Sequence, residues 1–225
     1  LPVPTAHRIL VALTGRQYLA RDERTRRFRL GPAALALGDR ARTMLDLRQA
    51  ALPVLRRLAR ETDETALLTV PNDDRDRSVC LERVESSQPL RLSVEPGRRL
   101  PLHAGASQKA LLAFLGDDEI ERVLAAPLER LCHATIVRAK ALRTNLREIR
   151  DRGWAFSLEE TNVGVWGVAV PLLEEQRLAV AALGLAGPSA RLSPDEVGDH
   201  LERLRYAAAE IAAPLALEVP ELTWP

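Results

Sequence analysis

Apolar positions at helical spacing open the chain. In LPVPTAHRILVALTG, Ile9, Leu10 and Leu13 continue one face of a short helix over residues 5–14, with Thr5 placed to cap it and Gly15 to end it. His7 and Arg8 fall on the other side, facing out. Tyr18-Leu19-Ala20 and Phe28-Arg29-Leu30 then read as two extended runs joined by the charged ARDERTRR, and Gly31-Pro32 closes that hairpin. A helix followed by a basic hairpin is the order of a winged helix-turn-helix. From Ala33 to Thr43 the spacing is again helical, with Gly38 as a soft spot. A second helix runs from Asp46 to Arg60, where Pro53 predicts a kink or an earlier break.

Beyond residue 64 the period shortens. TALLTV, SVCLERV and LRLSV read as strands separated by the turn-rich PNDDRDR and by SSQP. Helical spacing returns over His103–Leu115, Asp117–Leu124 and Lys140–Arg152. WAFS and VWGVAVPLL follow as strands, and RLAVAALGLAG as a long buried one. Ser193-Pro194-Asp195-Glu196 is a helix start, with a cap, a first-position proline and acids, and its helix runs to about Leu217. Hairpins in place of regular βαβ alternation predict an α+β fold with a mostly antiparallel sheet flanked by helices, and a domain boundary within residues 31–45.

Charge sharpens this division. The net charge is only +1, but residues 1–30 hold seven Arg against Asp22 and Glu23, a segment charge of +5 that leaves −4 for the remainder. A basic head on a mildly acidic body predicts a polyanionic partner at one end. Cys80 and Cys132 lie far apart without metal-ligand spacing and read as two buried free thiols. No run reaches the ~18 apolar residues of a membrane helix, and no secretory signal opens the chain, so a cytoplasmic, soluble protein is expected. No metal or cofactor site is expected.

Taken in order and at their spacing, LPVPTAHRIL, YLARD with FRLGP, LARETDETALL, CLERVESSQPLRL, PLHAGASQKALLAFL, RGWAFSLEETNVGVWGVAVPLL and AALGLAGPSARLS resemble the IclR family of bacterial transcription regulators. The resemblance covers essentially the whole chain. It implies a partial winged helix-turn-helix over residues 1–32, a linker helix over 33–45, and a GAF-like effector-binding domain over 46–225. LPVPTAHRIL then resembles the turn and recognition helix, and the two helices that normally precede it are missing from this sequence. The linker helix, around Leu35 to Met44, is expected to carry dimer contacts and the coupling between domains.

A recognition helix presents its N-terminal residues to base edges, which makes Thr5, His7 and Arg8 the candidate operator contacts. Arg24, Arg26 and Arg27 of the hairpin are candidate contacts to phosphates or the minor groove. In the second domain the start of the PLHAGASQKALL helix, Ala104 to Ser107, offers free N–H groups to a carboxylate, and by the resemblance Ala106 and Ser107 stand where family members that bind small carboxylates offer those amides. By the resemblance the other pocket positions are Ser157, Gly167, Gly184 and Ala186, where family members that bind small carboxylates carry polar anchors. Three of these four are Gly or Ala, and the aromatics Trp154, Phe156 and Trp166 lie close by, which predicts a larger and more apolar ligand such as an aromatic acid.

The function expected is therefore a DNA-binding regulator, a homodimer or tetramer on double-stranded operator DNA, modulated by a small organic acid. Two alternatives compete. One is a sensory domain without specific DNA binding. The other is a small hydrolase built on Ser107, His103 and a nearby glutamate, against which the absence of a GxSxG-type elbow weighs. Glu159, Glu160 and Asn162 read as a loop gate or a helix-start cluster rather than a catalytic pair, and His103 as a buried hydrogen-bonding residue.

Overall fold

The computed structural model describes residues 1–92 and 94–223, with side chains left out at 39–43, 194 and 195. The chain divides into two compact units, Leu1–Leu47 and Arg48–Pro225.

The first unit holds helix α1 (Val3–Gly15), strands β1 (Leu19–Arg21) and β2 (Phe28–Leu30), and the start of helix α2 (Pro32–Thr62). Helix α1 begins two residues earlier than the sequence predicts. Extended Pro2 precedes it and Pro4 lies in its first turn, where a missing N–H costs nothing. Thr5 is consequently not the cap: it sits inside that turn, its own N–H on Pro2 O at 3.0 Å. Ile9 is also exposed rather than part of a covered face. Strands β1 and β2 pair antiparallel from Leu19↔Leu30 to Arg21↔Phe28. Asp22 builds the turn between them by accepting the N–H groups of Arg24 and Thr25 at 2.9 and 2.7 Å, and these bonds hold its carboxyl below the usual value. Gly31 is obligatory at the hairpin's end, because a Cβ there would lie 2.1 Å from Gln17 O.

In place of two helices, α2 is one helix through Pro53. Proline removes a hydrogen bond to the carbonyl four residues earlier, and here Pro53 and Gln49 are both exposed, so water can take that carbonyl. On the other side Ala51, Val54, Leu55 and Leu58 are buried and hold the helix in register.

The second unit is built on a six-stranded, wholly antiparallel sheet: β3 (Thr65–Pro71), β4 (Arg77–Val84), β5 (Arg99–Pro101), β6 (Ala155–Leu158), β7 (Val165–Leu173) and β8 (Ala179–Pro188), in the order β5-β4-β3-β8-β7-β6. LRLSV is not among the strands. Leu90–Leu92 and Val94 are irregular, and Ser93 lies outside the described residues. Leu92 and Val94 instead pack on Leu67, Cys80 and Ala186, and Thr65 Oγ1 donates to Leu92 O at 2.9 Å, so the segment crosses the sheet as a strap while Arg99–Pro101 takes the edge.

Helix α3 (Ala106–Ala113) covers one face, with α4 (Asp117–Ala125) and α5 (Ala139–Arg152) outside it; Leu111, Leu112, Leu142, Leu146 and Ile149 form the core between them. Helix α3 starts at Ala106 rather than His103, since Gly105 at φ +96° is not helical. Helix α6 (Pro194–Ala212) covers the opposite face and runs beside α2, joined by Arg57 to both carboxylate oxygens of Glu210 at 3.1 and 2.5 Å. It ends at Ala212, a turn before the expected Leu217, in a short 3₁₀ turn containing Pro214. Of its predicted start, Pro194 and Asp195 lie outside the described side chains, while Glu196 accepts the Ser193 N–H at 2.8 Å.

Candidate functional site

The α3 face of the sheet bears a recess of about 620 Å³ that is partly open to solvent. Alternation along the strands decides its floor. Leu67 and Thr69 on β3, Cys80 on β4, Ser157 on β6, Gly167 on β7 and Ala186 on β8 all line it. Ala106, Ser107 and Gln108, the first turn of α3, form one wall, and Leu92 and Val94 of the strap another. Thr161 and Asn162 from the β6–β7 loop also line the recess, as do Arg98 and Leu100.

Among the described residues the N–H groups of Ala106, Ser107 and Gln108 have no backbone acceptor, as expected for the first turn of a helix. The side chains of Thr69, Ser107 and Ser157 are buried beside them and form no hydrogen bond within the described residues. Donors without acceptors at a positive helix end make this wall suited to a carboxylate. The Cys80 thiol is held protonated, its pKa pushed up to about 11 by burial, so it offers a soft, neutral patch.

Beneath the wall, Lys109 Nζ meets Glu160 Oε1 at 2.5 Å and the Phe156 carbonyl at 3.1 Å. Glu160 Oε2 accepts the Gly105 N–H at 2.9 Å, and its main-chain carbonyl accepts the Thr135 hydroxyl at 2.7 Å. Burial lowers the Lys109 pKa from its usual range, and the Glu160 carboxylate opposes that shift. Glu159, at φ +54°, accepts the Gly164 N–H at 2.9 Å and lies 3.3 Å from His133 Nε2. The adjacent glutamates thus fasten the loop that carries Thr161 and Asn162. His103 is buried with Nε2 2.8 Å from Glu129 O, the hydrogen-bonding role read from the sequence.

Of the sequence-proposed effector residues, Ala106, Ser107, Ser157, Gly167, Ala186 and Trp166 come together at the cavity. Gly184 does not line it. A Cβ there would lie 2.7 Å from Ser107 Oγ and 3.1 Å from Val168 O, so the small residue seats α3 on the sheet and opens no room. Gly167 does leave space, its nearest neighbours to an added Cβ being Ala106 Cβ and Ser157 Oγ at 3.4 Å. Phe156 points away, since neighbouring Ser157 faces the cavity. Trp154 is buried elsewhere, its indole N–H on Thr223 O at 2.9 Å, and Trp166 stacks on His200 of α6 with ring centres 5.1 Å apart. Because adjacent Gly167 faces the cavity, the Trp166 ring lies on the α6 side of the sheet, and the expected aromatic lining is not found among the described residues. Arg98, Thr69 and the strap escape the sequence reading; alternation from Leu67 places Thr69 on the same face, but nothing local brings Arg98 there. Cys132 is only half-buried, unlike the expectation, and no metal-ligand cluster occurs among the described residues.

In the first unit His7 and Arg8 are exposed on α1, Thr5 is half-buried beside them, and Arg24, Arg26 and Arg27 are exposed in the β1–β2 turn. Arg26 takes the left-handed conformation at φ +61°, with its N–H on Asp22 O at 2.8 Å.

Comparison with known proteins accords with this arrangement. The family model for "Bacterial transcriptional regulator IclR C-terminal" matches residues 40–213. The probable transcriptional regulator SauR of Cupriavidus necator is 34% identical over 94% of this chain and 83% of its own length, and the transcriptional repressor IclR of Escherichia coli 28% over 94% and 77%. Among crystal structures, an IclR regulator from a Silicibacter species superposes with a TM-score of 0.77 at 28% identity, covering 96% of this chain and 85% of that one. An IclR homologue from Microbacterium hydrocarbonoxydans, in complex with 4-hydroxybenzoate, does so with 0.71 at 30%, covering 96% and 87%. No helix among the described residues is long and apolar enough to cross a membrane. A family match over most of the chain, carried by the α+β unit that holds the cavity, means that the protein belongs to the IclR family of bacterial transcription regulators, with a C-terminal effector domain.

Proposed function

We propose that the protein binds operator DNA as a cytoplasmic homodimer or tetramer and that a small organic acid, seated in the cavity of the second unit, alters that binding. The observation that carries the effector half is the convergence of unpaired first-turn N–H groups of α3 with the buried hydroxyls of Ser107 and Ser157. For the DNA half the support is the exposed pair His7 and Arg8 on α1 and the arginines of the β1–β2 turn, in a segment of charge +5. A relative that holds 4-hydroxybenzoate supports an organic acid as the ligand. A ligand that binds one arrangement of the heads better than another needs a coupling of only ~1–3 kcal/mol. Against the hydrolase alternative, no hydrogen bond joins His103 to Ser107 among the described residues, and Glu160 is paired with Lys109.

Fluorescence anisotropy on DNA from upstream of the protein's own gene, at two salt concentrations and with a panel of aliphatic and aromatic acids, tests this reading. Sequence-selective binding shifted by one class of acid is the expected result. Weak binding, equal on all sequences and abolished at modest salt, would put the sensory-domain reading first.

A further inference from the structure

We propose that the ligand is a short dicarboxylate, with one carboxylate on the first-turn N–H groups of α3 and the second on Arg98 at the solvent-exposed side of the recess. This deepens the effector reading above and rests on it. The inner end is more than a bare helix terminus, because Ser107 and Ser157 are only 7% and 8% exposed, line the cavity, and make no hydrogen bond within the described residues. Both hydroxyls can donate to the same carboxylate that receives the amides.

Arg98 supplies the second charge. Its backbone is fixed to the cavity floor: its carbonyl accepts the Cys80 N–H at 3.1 Å, and the neighbouring Gly97 N–H donates to Cys80 O at 2.8 Å. Its side chain is exposed and has no carboxylate partner among the described residues, whereas Arg83 nearby is paired with Glu85 and Glu95. Glu160, the buried carboxylate closest to the inner end in the hydrogen-bond network, is neutralised by Lys109 and does not oppose an incoming anion. Leu92, Val94 and Leu100 line the same recess, which suits an acid with charge at both ends and methylenes between.

Isothermal titration of the full chain with butyrate, succinate, glutarate and adipate reads this directly. At least one diacid should bind about tenfold more tightly than butyrate, as expected of a second, charge-assisted hydrogen bond, and Arg98→Ala should shrink the preference to about twofold or less while leaving butyrate unchanged. Arg98→Lys should restore part of it, and Arg98→Glu should reverse it. Because the Arg98 side chain is exposed, an unaltered melting temperature separates this from a folding defect. Equal affinity for mono- and diacids, or a preference that survives Arg98→Ala, overturns the dicarboxylate inference and leaves the carboxylate site standing. Binding of none of the four acids would remove both.

Discussion

Lys109 and Glu160, 51 positions apart, meet at 2.5 Å with both side chains shut away from water. Through Gly105 and Thr135 the same residue ties the start of α3 and the α4–α5 connection to the loop after β6. Removing one partner of such a pair strands the other charge, so Lys109→Met should cost about 3–5 kcal/mol in urea unfolding. The double variant Lys109→Met/Glu160→Gln, which keeps an acceptor for Gly105 without a buried charge, should recover part of that stability.

Gly184 and Gly167 should respond differently to a methyl group. Gly184→Ala forces Ser107 and the start of α3 off the sheet and should destabilise by about 1–3 kcal/mol while abolishing effector binding. Gly167→Ala, with 3.4 Å to its nearest neighbours, should keep the melting temperature and weaken only the larger ligands. Thermal melts with titration of each variant separate the two.

On operator DNA, the turn arginines and Arg8 should divide their labour. Replacing Arg24, Arg26 or Arg27 by Ala should lower the slope of log K against log salt by about 0.9 for each phosphate no longer neutralised, equally on specific and random sequences. Arg8→Ala should instead reduce discrimination at one base pair by ~1–3 kcal/mol, read by anisotropy on single-substitution operators.

His200 makes stability depend on pH. Burial against Trp166 lowers its pKa from the ordinary 6.5, opposed by Glu196 and Asp199 and reinforced by Arg203. Below 6.5 the unfolded chain takes up the proton more readily than the folded one, so this contribution is complete above that pH and lost as the pH falls. The melting temperature should drop between pH 7.5 and pH 5, and by less in His200→Gln.

Much of the second unit is legible in the sequence because period carries it. β7 falls on VWGVAVPLL, and α4 and α5 begin within a residue of their expected starts. The failures come from tertiary packing that sequence spacing cannot encode. LRLSV has strand composition, yet Leu92 and Val94 are held across the sheet by Leu67, Cys80 and Ala186. Pro53 would break an isolated helix, but a buried stripe carries α2 past it. Gly184 reads in the sequence as missing side-chain volume, and only the approach of Ser107 shows that the volume is already occupied. The same limit hides Arg98, whose place at the cavity depends on its carbonyl's bond to Cys80, 18 residues earlier.

The central pair of the sheet joins Thr65 to Ala186, the first and last strands of the second unit. Pairings of such long sequence separation slow folding, since a large loop must close before they reward it. A nascent chain can therefore assemble hairpins such as β3–β4, but the sheet has no middle until residue 188 has left the ribosome. Truncation within β8 should thus yield an aggregation-prone collapsed chain rather than a smaller working sensor, and the domain can mature only once β8 is free to pair.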